Sequence, residues 1–187
     1  MAESQIQNFN HLKIHSQFSI CEGAIKIDDL KEISKEKKIR SLALCDTSNL
    51  CGALEFAEKI SKVGTQPIIG TQINFKIDDT IGLLPLFALN EIGYKRIIEL
   101  SSLSYLNNDG TLDPHLNFEE LLKNNEGVAI FSGTINGLVG QLFNKGKFSE
   151  IEKLYSKLKQ KYGDKFYIEI QRHGAVSYTH LTLPTKA

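Results

Sequence analysis

The sequence predicts an α/β fold in which a parallel sheet or a barrel is covered by helices. Short apolar runs, typical of buried strands, alternate with stretches whose apolar residues recur at helical spacing. Two of these runs end in a residue that can bind a metal ion, at His15 and Asp46, which is typical of the C-terminal strand ends in barrel enzymes. The hydrophobic fraction of 41% in 187 residues is sufficient for the core of one domain.

The first half of the chain is predicted to alternate strands and helices. Apolar runs predict strands over residues 11–15, 39–44, 67–75 and 81–89. Helices are expected to begin at Asp28 or Asp29, at Asn49 and at Glu91. They are expected to end near residues 38, 63 and 106, the second of them at Gly64. Their predicted buried side chains are Leu30, Ile33, Leu50, Leu54, Ala57, Ile60, Ile92, Ile97, Ile98 and Leu100.

The second half continues the alternation. Residues 107–110 have strong turn chemistry and predict a loop. Asn117 is expected to cap a short helix ending near residue 122, and Ser149 with Glu152 predicts a capping box for a helix through residue 162. Strands are predicted over 127–131 and 166–170, and the first runs into a turn at 132–134. The strands are too few for a closed eightfold barrel, so we expect a partial one.

Residues 175–187 do not continue this pattern. They show neither a helical period nor capping residues, and they look like a translated adaptor or vector read-through. We therefore exclude them from the fold prediction and do not count His180 as a ligand. The alternative is that they form a genuine C-terminal strand.

Charge and composition narrow the function classes. The chain has 22 basic and 22 acidic residues, which argues against a main task of binding nucleic acid through a basic face. Cys21, Cys45 and Cys51 form no CxxC pair and no disulfide framework. We interpret Cys45 and Cys51, which flank the predicted site, as small buried apolar residues. The first ten residues are polar and no apolar run is long enough to span a bilayer, which predicts a cytoplasmic protein without membrane contact.

Several sequence blocks, in a fixed order, carry a family resemblance. They read FNHLKIHSQFS (9–19), EGA (22–24), ALCDTSNLCG (43–52), KVGTQPIIG (62–70), GY (93–94), SG (132–133) and FYIEIQRHG (166–174). Together they resemble the polymerase-and-histidinol-phosphatase (PHP) domain at the N-terminus of bacterial replicative DNA polymerase III alpha subunits. The resemblance implies a distorted (β/α)7 TIM-like barrel that occupies residues 1–174 and is truncated here at its C-terminus.

For an active PHP domain, the resemblance implies a cluster of zinc-like ions held by His and carboxylate side chains. Such ions clamp a phosphate and generate hydroxide, so the domain acts as a phosphoesterase and in some polymerases as a proofreading exonuclease. A further Asp-x-His pair would lie beyond residue 174. His11 shares a strand face with His15, but a core histidine is the simpler interpretation. Matched by position, the ligands that remain are His15, Glu22, Asp46 and His173.

Four other ligand positions of the family are changed in this sequence. Lys13 and Thr47 stand where the family has His. Gln72 replaces a Glu, and Thr134 replaces a Cys or His. A protonated ammonium repels a cation and has no lone pair, and an amide lacks the carboxylate charge. We therefore expect no tightly bound metal cluster, and at most one weakly held zinc or manganese ion.

The resemblance implies that the chain is a fragment of a longer DNA-directed DNA polymerase that acts in DNA replication. The catalytic carboxylates and Mg²⁺ would belong to a palm domain outside this sequence, and DNA would bind through the longer protein. The domain itself is expected to be structural and to dock the proofreading exonuclease and other polymerase III holoenzyme subunits. The alternatives are a PHP-type phosphoesterase, such as a histidinol phosphatase or a 3′–5′ exonuclease, and an interaction module with no enzymatic parent.

The end of the sequence pattern after residue 174 gives a first prediction. We expect residues 175–187 not to pack against the domain, because neither an amphipathic pattern nor the family blocks extend into them. Hydrogen exchange followed by mass spectrometry should show rapid exchange over 178–183. Strong protection of these amides would contradict the prediction.

Overall fold

The computed structural model describes residues 9–106 and 110–170, which form helices packed on a six-stranded sheet. The strands are β1 Ser41–Thr47, β2 Gln66–Ile77, β3 Thr80–Ala88, β4 His115–Asn117, β5 Val128–Phe131 and β6 Phe166–Tyr167. The helices are α1 Ile27–Lys37, α2 Ala53–Ser61, α3 Glu91–Leu106, α4 Phe118–Lys123, α5 Leu138–Asn144 and α6 Phe148–Tyr162, followed by a 3-10 turn at Gly163–Lys165. Across these ranges no helix is long and apolar enough to cross a membrane.

The sheet is mixed, so the α/β class is confirmed but the expectation of a parallel sheet is wrong at its centre. The strand order is β1-β2-β3-β5-β6, and β4 pairs with the far half of β2. Strand β3 runs antiparallel to both β2 and β5, whereas the remaining pairs are parallel. The cause is the connection between β2 and β3, which consists of Asp78 and Asp79 alone. A link this short closes a hairpin and cannot cross over to a parallel strand.

The segment predicted as a first strand, residues 11–15, is an extended sheet edge with only isolated bridges. Ile14 pairs in parallel with Leu44 of β1. The Cys45 N–H donates to the Ile14 carbonyl at 2.8 Å, and the Ala43 N–H donates to the His11 carbonyl at 2.9 Å. The segment therefore lies along β1 on the side opposite β2, and it brings Lys13 and His15 to the same edge.

Several predicted helix starts are wrong. Helix α1 has Lys26 at its N-cap, and Asp28 and Asp29 lie in its first turn, where they face the positive helix end. Helix α2 begins four residues after Asn49, and α6 begins at Phe148, so Ser149 cannot be its N-cap.

Other elements differ from the prediction as well. Neither β4 nor α5 was predicted, and the last strand ends at Tyr167 rather than residue 170. Residues 107–109 of the predicted loop and residues 171–187 lie outside the described ranges.

The predicted buried faces are right for part of each helix. Ile97 and Leu100 are buried in α3, whose predicted bounds are confirmed. Leu54, however, is exposed and Phe56 is buried in its place. The remaining predicted core side chains that are exposed are Ile33, Ile92 and Ile98. Each of these three residues is next to a buried position of its helix, so the prediction places the buried face one position away from where it lies.

Three apolar clusters surround the sheet. The largest packs helices α3–α6 against one face, and a second packs α1 and α2 against β1. The third lies on the opposite face and is small. Its residues come from successive sheet segments and are Leu12, Ala43, Cys45, Ile68, Phe87, Ala129 and Phe131. Because side chains alternate along a strand, Thr47 and Gln72 share this face with Cys45 and Ile68.

The β2–β3 turn is fastened to the loop between α5 and α6 by charges. The Lys145 ammonium donates to the Asp79 carbonyl at 3.0 Å and to Thr80 Oγ1 at 3.0 Å. The Lys147 ammonium forms an ion pair with the Asp79 carboxylate. The hydrogen bond from Lys147 lowers the pKa of the exposed Asp79 to about 2. This contact joins the central hairpin to the helical layer.

The depressed pKa predicts a pH-dependent contribution of Asp79 to stability. Its value of about 2 lies below the ordinary value of 3.8, so the stabilisation is fully present above pH 3.8 and is lost as the pH falls through about 2. We expect Asp79→Asn to lower the thermal midpoint by a few degrees at most at pH 7, since the pair is exposed. The difference from the wild type should shrink below pH 3.8 and vanish only below about pH 2. Glu126→Gln, at an exposed site, is the control, and a difference that does not change with pH would contradict the assignment.

Candidate functional site

An open cleft of about 440 Å³ lies on the sheet face that carries the small cluster. Five of the positions singled out in the sequence line it, namely Lys13, His15, Glu22, Gln72 and Thr134. The rest of its wall consists of Leu83, Gly133, Asn136 and Gly137. Asp46 and Thr47 lie beside the cleft, and His173 is outside the described residues. The structure therefore brings the predicted site together from the sheet edge, β2 and the loop after β5.

Asp46 ends β1 and is buried, with 1% of its surface exposed. Its carboxylate accepts hydrogen bonds from the Ser16 N–H at 2.7 Å and from the hydroxyls of Ser16 and Ser19 at 2.8 and 2.7 Å. These donors satisfy the buried charge and fix the turn that follows His15. Both carboxylate oxygens are thus engaged within the protein, and Asp46 does not line the cleft.

The loop at residues 16–22 is fastened to β1 by further hydrogen bonds. The Thr47 N–H donates to Ser19 Oγ at 3.0 Å. The Asn49 side-chain amide donates to the carbonyls of Phe18 and Thr47 at 3.0 and 2.9 Å. Ser16, Ser19 and Asn49 were not identified from the sequence, because single polar residues in a loop give no periodic signal. Ser16 and Ser19 lie 30 and 27 residues from Asp46, so the sequence gives no indication that they contact it.

Three positions at which the resemblance implied metal ligands hydrogen-bond to one another here. The Thr47 hydroxyl donates to the Glu22 carboxylate. The Gln72 amide donates to Thr47 Oγ1 at 2.7 Å. These two hydrogen bonds connect the loop at residues 16–22 to β1 and β2 beside the cleft. The Thr47 hydroxyl and the Gln72 amide therefore both have hydrogen-bond partners within the protein.

Lys13 lies in the cleft and its ammonium pairs with Glu169. The Nζ atom is 3.3 Å from Oε1 and 3.5 Å from Oε2, and the two side chains are 17% and 11% exposed. Glu169 is held in place because its N–H donates to Ser132 Oγ at 3.0 Å, while the Ser132 N–H donates to the Tyr167 carbonyl at 2.9 Å. Glu169 lies in one of the sequence blocks that carry the family resemblance. Its contact with Lys13 was not predicted, because the two residues are 156 positions apart in the sequence.

His15 and Cys45 complete the site. The Nδ1 atom of His15 is buried and has no hydrogen-bond partner among the described residues, while the ring lines the cleft. Burial raises the pKa of the Cys45 thiol strongly, so the thiol stays neutral and belongs to the apolar cluster beneath the cleft. The interpretation of Cys45 as a small buried residue agrees with this position, whereas the same interpretation is wrong for Cys51, which is exposed.

These residues do not fit a two- or three-metal centre. Within residues 9–106 and 110–170, no three His, Cys, Asp or Glu side chains are grouped closely enough to hold a metal ion. Asp46 has both oxygens engaged, and the Lys13 ammonium places a positive charge where a cation would bind. A catalytic cluster needs several N or O ligands around each ion, and the described part of the cleft does not offer them.

The chain is similar to several known proteins. The sequence profile of the PHP domain family matches residues 11–173. DNA polymerase III subunit alpha of Caulobacter vibrioides is 35% identical over 187 residues, which cover 93% of this chain and 16% of that protein. The Rickettsia felis protein of the same name is 37% identical over 88% of this chain and 14% of its own length. An amidohydrolase structure from Chromobacterium violaceum aligns with a TM-score of 0.39 and 12% identity, covering 79% of this chain and 54% of that one.

The anchoring role of Asp46 can be tested by substitution. We expect Asp46→Ala to reduce the free energy of unfolding by more than about 2 kcal/mol, because three buried donors lose a charged acceptor. Ser19→Ala should cost less, since two donors to Asp46 remain. Urea unfolding would measure both changes, with the exposed Asp28→Ala as the control. An Asp46→Ala variant as stable as this control would show that the anchor is not needed.

Proposed function

The chain belongs to the PHP domain family, and from this membership we propose that it forms the PHP region of a longer replicative DNA polymerase subunit. The observation that carries the proposal is the match to DNA polymerase III alpha subunits over 88–93% of this chain. The chain spans only 14–16% of the length of those relatives. DNA-directed polymerase activity, its Mg²⁺ ions and its binding to DNA would therefore reside in parts of the longer protein outside this sequence.

Within such a protein, we assign this domain a structural role. The support comes from the cleft, where the changed ligand positions Lys13, Thr47 and Gln72 all have partners within the protein. A network of this kind stabilises the strand ends but supplies no activated water. The residual ligand set of His15, Glu22, Asp46 and His173 would hold at most one weakly bound zinc or manganese ion. A cytoplasmic location follows from the same role and is part of the proposal.

A partial barrel, as expected from the family, is the arrangement that we propose for the sheet. Its hydrogen bonds do not close a ring, yet Lys13 at one edge touches Glu169, which follows β6 at the other. The small apolar cluster between them receives residues from the first segment, β1, β2, β3 and β5. Ile168 and Ile170 beyond β6 are exposed, as expected if further polypeptide covers this edge. The domain would then comprise residues 1–174, with 175–187 as a non-native tail.

A metal-dependent phosphoesterase is the alternative, and one observation favours it. His15 and Glu22 both line the cleft, and the imidazole has a buried nitrogen without a partner in the described structure. Against it stands the ammonium of Lys13 in the same cleft, which repels a metal ion and removes a ligand. The two functions are separated by an activity measurement.

Docking of a separate proofreading exonuclease is the partner function that we propose, along with contacts to other holoenzyme subunits. One group of exposed apolar side chains supports it. The Tyr105 hydroxyl donates to the Ser48 carbonyl at 2.9 Å, which brings the end of α3 to the loop before α2. Leu106 at the end of α3 and Leu54 in the first turn of α2 are 78% and 70% exposed. Exposed apolar groups of this kind often mark protein interfaces.

The structural role predicts that the domain does not hydrolyse phosphate esters. The full chain should not turn over p-nitrophenyl phosphate or degrade primed DNA with added Zn²⁺ or Mn²⁺, because the cleft lacks the ligands for a catalytic cluster. The matched control is His15→Ala, which removes the best remaining ligand. Turnover by the wild type above that of His15→Ala would favour the phosphoesterase.

The docking proposal predicts reversible binding of the exonuclease subunit encoded in the same genome. Biolayer interferometry with the immobilised 187-residue chain should detect it. Leu106→Asp should weaken binding at least about tenfold, a size typical of an interface anchor residue. Ile33→Asp, at an exposed apolar site on α1, should leave binding unchanged. Absence of binding by a folded chain, or equal loss in both variants, would argue against docking at this surface.

A further inference from the structure

The ion pair between Lys13 and Glu169 joins the two ends of the sheet. Lys13 lies on the segment that borders β1, and Glu169 lies two residues after β6. The sheet order places β2, β3 and β5 between β1 and β6. No hydrogen-bonded strand pair connects the two edges in the described ranges. The ammonium therefore makes a direct contact across the open side of the sheet, beside the cleft.

This pair differs from the other ion pairs of the structure in its burial. It is the only one within the described residues in which both side chains are less than 20% exposed. Charges that are largely withdrawn from water attract each other more strongly than surface charges and are less screened by salt. Removing one partner would leave the other charge desolvated and without this counter-charge. The Lys13–Glu169 contact is thus the ion pair with the greatest potential effect on stability.

We infer that the Lys13 ammonium is a tethered cation that cross-links the domain in place of a metal ion. In a metal-binding PHP domain, ions would connect ligands from several strand ends. Here the residues do not fit such ions, and a covalently attached positive charge holds the carboxylate of Glu169 instead. The two ends of the sheet are thereby kept together over the small apolar cluster. This inference rests on family membership and not on the proposed polymerase role.

A tethered cation has a consequence that distinguishes it from a bound ion. Stabilisation by a bound ion grows with the free ion concentration relative to its dissociation constant. Stabilisation by Lys13 is intramolecular and needs no ion. The thermal midpoint of the wild-type chain should therefore be the same in EDTA and in Zn²⁺ or Mn²⁺. It should fall when either member of the pair is replaced.

A double-mutant cycle on the full 187-residue chain tests the inference. We expect Lys13→Met and Glu169→Gln each to raise the unfolding equilibrium constant at least about tenfold in urea titrations. The double variant should be no less stable than the worse single variant, which gives a coupling of about tenfold, or about 1.4 kcal/mol. Lys95→Met is the matched control, because Lys95 and Glu91 form an ion pair that is 72% and 78% exposed. Its effect should stay within about twofold.

Charge reversal covers the case in which the single variants do not fold. The variant with both Lys13→Glu and Glu169→Lys should fold better than either single reversal, because the opposite charges meet again. Additive effects in the cycle, no recovery on double reversal, or a wild-type midpoint that rises by several degrees in Zn²⁺ or Mn²⁺ would each overturn the inference.

Discussion

The buried carboxylate of Asp46 is the contact on which the rest of the site depends. It lies at the end of β1 and accepts three hydrogen bonds from Ser16 and Ser19. These bonds fix the turn after His15, and with it the edge that carries Lys13 into the cleft. Because the carboxylate is buried, its charge is tolerated only while these donors surround it. Asp46, which the sequence predicted as a metal ligand, therefore acts as a structural anchor in this structure.

The changes at the ligand positions form one consistent set. Thr47 and Gln72 extend a hydrogen-bond chain to Glu22, and Lys13 neutralises Glu169. Thr47 and Gln72 thus supply hydrogen-bond donors to their neighbours, and Lys13 supplies a positive charge to Glu169. A site that had lost single ligands at random would leave more buried polar atoms without partners, whereas around this cleft the structure describes one, Nδ1 of His15. This pattern favours a site that is maintained for stability.

The sequence predicted those features that depend on local pattern or on whole motifs. Helix α3 is right in its bounds because Glu91–Leu106 has neither Pro nor an internal turn signal. Family membership, predicted from ordered blocks, is confirmed by the match over residues 11–173. The direction of β3 was missed, although the short link at Asp78 and Asp79 contains that information. The partner of Lys13 could not be predicted from the sequence. Lys13 and Glu169 are 156 residues apart, and their contact depends on the curvature of the sheet, which brings its two edges together.

The central claim is that the cleft is held together by the protein's own charges and hydrogen bonds. The most direct test is a crystal structure of the domain from crystals soaked in Mn²⁺, with anomalous diffraction data to locate the ion. We expect no anomalous peak in the cleft and a Lys13 ammonium in contact with Glu169. A peak bound by His15 and Glu22, with the Lys13 side chain turned out of the cleft, would contradict it.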